Sequence, residues 1–140
     1  MIQKENDSLL ISMNLKTIFK RLILLDFLLI ILVVSSVAFE SAEVTDFNKY
    51  FENDYSNSLL TVAGILYLVY IVNLFFLYKF KRIGKQIYFI LWIVLIILSL
   101  LLPPFAIDSW SYVIDGLSWA NSGAILVLLY FTPIKKEFDK

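Results

Sequence analysis

The sequence contains no cysteine and no histidine in 140 residues. The first absence excludes disulfides, thiolate nucleophiles and thiol exchange. The second excludes His-ligated haem and the His-containing metal sites. There is no net charge, since 12 basic residues balance 12 acidic ones, so no excess positive charge exists to neutralise nucleic-acid phosphates and no nucleic-acid partner is expected. No glycine-rich phosphate loop, metal-ligand spacing, nucleophile elbow or paired catalytic carboxylates can be found, so an enzyme is not expected and neither is a cofactor.

What is present is apolar: 60% of the residues are hydrophobic, and the mean hydropathy is +0.81. The apolar residues gather in four blocks, and crossing about 30 Å of hydrocarbon takes roughly 20 such residues. The blocks predict an all-α fold, a single transmembrane domain built as an antiparallel four-helix bundle, with spans at 18–39, 59–78, 87–102 and 110–131. Pro103 and Pro104 end the third, because proline lacks a donor and restricts the residue before it.

Of the 12 Lys and Arg, 11 lie in the amino-terminal segment, the second connection and the tail, while the other connections hold only Lys49. These three basic segments alternate so as to share one side, and the positive-inside rule makes that side cytoplasmic, with both termini on it. The residue bias toward Ile, Leu, Phe, Lys and Asn matches AT-rich microbial coding, so the bacterial inner membrane is the expected location. Lys20-Arg21, an apolar run and Ser36-Val37-Ala38 imitate a signal peptide. Asp26 inside the run, and an apolar stretch longer than a signal core, favour a retained span instead.

The acidic connection, 40–57, carries Val44, Phe47, Phe51 and Tyr55 at the spacing of one helical face. It reads as a short helix on the membrane surface, with Phe47 and Phe51 as candidate partner-docking residues or as plain interfacial anchors. The run from Lys79 to Lys85 fixes topology and can attract anionic lipid. Tyr78, Tyr88, Trp110, Tyr112, Tyr130 and Phe131 read as the aromatic belt at the membrane boundaries.

Asp26 is the most informative residue, because an ionised carboxylate at mid-span costs about 2.5 to 3.5 kcal/mol. The 14 Leu, Ile, Val and Phe residues from Leu22 to Phe39 outweigh it. Depths counted from the basic ends bring Asn73 and Trp92 near its level, which predicts an intramembrane polar cluster of Asp26, Asn73 and Trp92. That cluster serves either as a proton- or cation-binding site or as interhelical glue. Tyr67 and Tyr70 are candidates for the same route. A second polar layer of Ser35, Ser36, Ser99 and Asn121 is expected roughly 21 Å from the basic boundary. On the last span Ser111, Asp115, Ser118 and Ser122 share one arc, while Gly116, Ala120, Gly123 and Ala124 offer a helix-packing face.

The ending Gly123-Ala124-Ile125-Leu126-Val127-Leu128-Leu129-Tyr130-Phe131-Thr132-Pro133-Ile134-Lys135-Lys136 resembles that of uncharacterised small bacterial four-span membrane proteins. The resemblance covers the last helix and the architecture, and assigns no functional residue. The four-span size and the acid in the first span are also similar to the small multidrug resistance transporters, which implies a proton-coupling role for Asp26. The acidic segment is extra here, and no other motif matches. Two functions are therefore expected. The first is interaction: an accessory subunit, assembly factor or immunity-like protein docking a larger membrane partner. The second is a homo-oligomeric small transporter or channel using Asp26, because four short helices promise little room for an enclosed path in one chain. Besides the lipid bilayer, the expected partner is accordingly a larger membrane protein or a second copy.

Overall fold

The computed structural model describes the backbone of residues 2–51, 57–101 and 105–139, and the side chains of 14–36, 38–50, 61–101 and 105–139. Every regular element among them is helical. The order is α1 (Ile2–Ser36), a 3-10 turn (Val37–Phe39), α2 (Ala42–Phe51), α3 (Asn57–Tyr78), α4 (Arg82–Leu101), α5 (Ser109–Phe131) and a closing 3-10 segment (Pro133–Asp139). Tyr55, Pro103, Pro104 and the Phe51 side chain lie outside the described residues. The first helix is longer than its apolar block, beginning at Ile2 rather than at residue 18.

The α3–α4 connection is a Schellman turn. Lys81 N–H donates to the Phe76 carbonyl and Phe80 N–H to that of Leu77, each at 2.9 Å, which satisfies carbonyls that the helix end would otherwise leave open. This geometry puts Phe80 in the left-handed region with φ of 53°, where glycine is usual and an L-residue loses about 1–2 kcal/mol. The ring compensates by packing 5.6 Å from Phe19 and 5.3 Å from Phe138, centroid to centroid. Gly84 follows in α4, and a Cβ there would come within 2.9 Å of Phe76 Cβ and 3.0 Å of Leu77 N. Only glycine lets α4 approach α3 this closely.

The closing segment turns back onto the helices. Its Phe138 and Ile134 are buried, Phe138 meets Phe19 edge-on at 5.8 Å, and Lys16 pairs with Glu137 at 2.9 Å. One end of the molecule thus gathers Phe19, Phe80 and Phe138 with the basic residues around them. The other end is acidic. Ser41 caps α2, accepting from Val44 N–H at 3.4 Å, and donates to Asp108 from both its backbone N–H and its hydroxyl, each at 3.0 Å. Asn48 exchanges two hydrogen bonds with the Ala106 backbone, at 3.0 and 2.8 Å. These bonds tie α2 to the segment that leads into α5.

Three helices are long and apolar enough to cross a membrane, over Thr61–Tyr78, Arg82–Leu101 and Ser109–Phe131. Within the chain only 22%, 17% and 28% of these stretches is buried. Leu68, Phe75, Ile90, Ile97 and Val127 are among the large side chains left exposed, a surface suited to lipid and far larger than water tolerates. The buried core is Phe19 and Ile23 of α1, Leu74 and Leu77 of α3, Tyr88 and Leu91 of α4, and Ile125 and Leu129 of α5.

Candidate functional site

On α1 the positions Phe19, Ile23, Asp26, Ile30 and Val33 step by four and three, so one stripe carries the carboxylate into the interior. Asp26 is only 2% exposed. Tyr70 of α3 donates its hydroxyl hydrogen to Oδ2, and Asn121 of α5 donates from Nδ2 to Oδ1 at 2.7 Å and to the Leu22 carbonyl at 3.1 Å. The Tyr70 hydroxyl also lies 3.3 Å from Ser122 Oγ and 3.4 Å from the Tyr88 hydroxyl, and Tyr88 donates weakly to the Ser122 carbonyl at 3.5 Å. Four helices therefore contribute to one buried network. Each carboxyl oxygen accepts one hydrogen bond, which offsets part of the cost of burying a polar group in an apolar layer.

Above the network opens a vestibule of about 490 Å³ with Asp26 at its floor, a size that suits a small ligand. Helix α1 lines it with Asp26, Ile30 and Val33, and α3 with Ala63, Gly64, Tyr67 and Tyr70. Helix α4 adds Trp92, Leu95, Leu98 and Ser99, and α5 adds Asp115, Ser118, Trp119 and Ser122. The walls are mostly apolar and aromatic, and Trp92 meets Trp119 edge-on at 6.4 Å. Asp115 precedes Ser122 by seven residues, roughly 10 Å along the helix, so the two carboxylates stand at opposite levels.

The membership of the polar cluster differs from the expectation. Asp26 is buried and hydrogen-bonded, but Asn73 is not its partner: both Asn73 amide atoms are buried with no hydrogen bond. Asn73 stands three residues beyond Tyr70, about 4.5 Å farther along α3, and lines a separate pocket of about 210 Å³ with Val72, Phe76 and Ile87. Trp92 shares the vestibule with Asp26, yet its indole N–H is also buried and unpartnered. Tyr88, read as a belt residue, belongs to the network instead, because the tight α3–α4 turn sets it opposite Tyr70.

The second polar layer does not assemble. Ser36 and Ser99 each donate to the carbonyl three residues back, at 2.8 Å, and Ser35 is exposed. Asn121 is lower than expected, at the level of Asp26, because the chain leaves the helix at Phe131 and folds back. The residues before Lys135 therefore add no depth. Gly116, Ala120 and Ala124 are exposed and Gly123 is half-buried, so among the described residues little packs on the small-residue face; a Cβ at Gly116 or Gly123 would meet no described atom within 4 Å. Helix α5 packs instead through Ile114, Asn121, Ser122, Ile125 and Leu129. Phe47 stands half-exposed on α2. Tyr67 and Tyr70 do line the same space as Asp26, and of the serine arc Ser118 and Ser122 line it with Asp115. Sequence reasoning missed Asn121 as an Asp26 ligand; the only signal was its place one residue before Ser122 on that arc. The chain matches no family model, no curated protein and no solved structure.

Proposed function

We propose that this chain is a four-span membrane protein that binds a small solute in the vestibule above Asp26 and couples that binding to transport. The observation that carries the reading is the pairing of an open cavity with a buried carboxylate at its floor, lined by all four long helices. An intramembrane acid facing a cavity is costly, and function is the usual reason for keeping one.

In this reading α1 is the fourth span. Lys20, Arg21 and Asp26 interrupt its apolar run. Even so, it runs beside α5 from the Lys16–Glu137 pair beyond one end of α5, past the Asn121–Leu22 bond, to the Ser41–Asp108 pair at the other. Its exposed Leu24, Leu28, Ile31 and Val34 suit lipid. Antiparallel order is supported by Phe19, Phe80 and Phe138 meeting at the basic end while Ser41 and Asp108 meet at the acidic end. On this reading the basic end, with both termini, is cytoplasmic, and the bacterial inner membrane is the proposed setting.

The test exploits the absence of native cysteine. Gly64 lines the vestibule and has open space where a side chain would go, so Gly64→Cys is expected to fold. A small membrane-impermeant thiol reagent should label it from the acidic side only, and transport predicts that Asp26→Asn inserts normally but loses solute-driven proton movement in vesicles. Failure of Gly64→Cys to react from either side would falsify the open vestibule. A second reading, docking to a larger membrane protein or a second copy, is favoured by the exposed Gly116, Ala120 and Ala124 face, which admits a close helix.

A further inference from the structure

The basic end carries charge that the fold does not neutralise. Nine described Lys and Arg gather there, three on α1, four around the α3–α4 turn and two in the closing segment, against the two carboxylates of Glu137 and Asp139. Glu137 pairs with Lys16, while Lys79, Lys81 and Arg82 have no carboxylate partner among the described residues. Three lysines rest on rings instead: Lys20 lies 5.0 Å from the Tyr78 centroid, Lys79 5.1 Å from that of Phe75 and Lys85 5.1 Å from that of Tyr130. A ring holds an ammonium in place without cancelling its charge. Beside the turn an apolar groove of about 210 Å³ runs along α3 and α4, lined by Leu68, Val69, Val72, Phe76 and Ile87. Asn73 backs it, but both amide atoms are covered, so the groove offers only apolar surface. It shares no residue with the vestibule, and its exposed Leu68, Val72 and Phe76 show that it opens outward. Lys79 is seven residues beyond Val72, two turns along the same face of α3 and about 10 Å closer to the turn. The groove therefore ends under a cation.

We propose that this groove seats one anionic phospholipid, with its phosphate at Lys79 and Lys81 and an acyl chain along Val72, Phe76 and Ile87. The site depends on α3 and α4 spanning the membrane, and not on what the vestibule binds. A phosphate diester supplies the missing negative charge and accepts hydrogen bonds from both ammonium groups. A zwitterionic lipid brings its own cation to the same place and gains less. An apolar helix from a second copy fills the groove but leaves the cations unpaired.

Native mass spectrometry of the full chain in mild detergent reads bound lipid and copy number together. The protein is titrated with phosphatidylglycerol and, separately, with phosphatidylcholine of the same acyl chains. The first phosphatidylglycerol should bind at a concentration at least about tenfold below the first phosphatidylcholine, the order expected for two basic side chains at a membrane surface. Lys79→Gln combined with Lys81→Gln, both exposed positions, should bring that ratio to about one. Val72→Trp, which fills the groove from an exposed position, should weaken the first phosphatidylglycerol by a similar factor with the charges intact. Equal binding of the two lipids by the unaltered protein overturns the proposal whether or not any variant folds. A preference that survives the double lysine change overturns it too, by placing the phosphate elsewhere. A preference that the lysine change removes and Val72→Trp leaves untouched reduces the site to attraction at the surface, with no seated chain. A dimer that takes up no lipid assigns the groove to a second copy and overturns the proposal as well.

Discussion

At the scale of single residues, neighbours in space decide roles that residue type leaves open. Gly84 and Gly116 are both helical glycines, and a propensity scale gives them the same value, yet only Gly84 has a neighbouring backbone where its Cβ would go. Gly84→Ala should therefore destabilise the protein by about 1–3 kcal/mol through overpacking, whereas Gly116→Ala should be neutral or stabilising by up to about 1 kcal/mol. Denaturant titration in detergent micelles, followed by circular dichroism, checks both; equal effects would place α4 farther from α3. Asp26 was legible as an anomaly because a carboxylate inside an apolar run stands out in any window. Its partners were not. Depth counting brings Asn73 to its level and puts Asn121 in another layer, and only the packing of the helices makes Tyr70 and Asn121 its partners instead of Asn73.

At the scale of elements, the turn and the tail work together. Phe80 holds a left-handed conformation that its sequence position does not favour, and its ring is kept there by Phe19 of α1 and Phe138 of the closing segment. The Lys20 ammonium, 5.6 Å above the Phe80 ring and 5.0 Å above that of Tyr78, adds a further contact. Removing Phe138 should loosen three elements at once. Phe138→Ala is expected to cost about 3–5 kcal/mol, the usual loss for a buried aromatic ring, and to raise amide exchange at Lys79–Arg82 as well as in the tail. Exchange that rises in the tail alone would show that the turn stands without it. In sequence the tail reads only as a basic segment, because Lys135 and Lys136 mask the two inward side chains Ile134 and Phe138.

For the whole molecule, orientation follows from charge and packing from complementarity. Single cysteines at Lys81 and Asp46, both exposed and at opposite ends, test the proposed topology in a background that has no native thiol. Impermeant labelling of intact cells should modify Asp46→Cys and spare Lys81→Cys until the membrane is opened. Labelling of both, or of Lys81→Cys alone, would refute the arrangement with the basic end inside. The same molecule-wide view explains why the vestibule was not anticipated. Four short helices packed uniformly leave no space, but here α1 joins α5, α3 joins α4, and Gly64, Ala63 and Ser118 are too small to fill the gap between the pairs.

Sequence alone determined the helical class, the apolar blocks and the segregation of basic from acidic residues, because transfer to lipid and charge placement depend on composition along the chain and hardly on neighbours. It also marked Asp26, by the same local logic. Tertiary structure alone decided that Tyr70 and Asn121 hold that carboxylate, that Tyr88 is interior, that the small face of α5 looks outward and that a cavity opens above Asp26. Those outcomes depend on the rotation and register of one helix against another, which side chains a hundred residues apart set jointly.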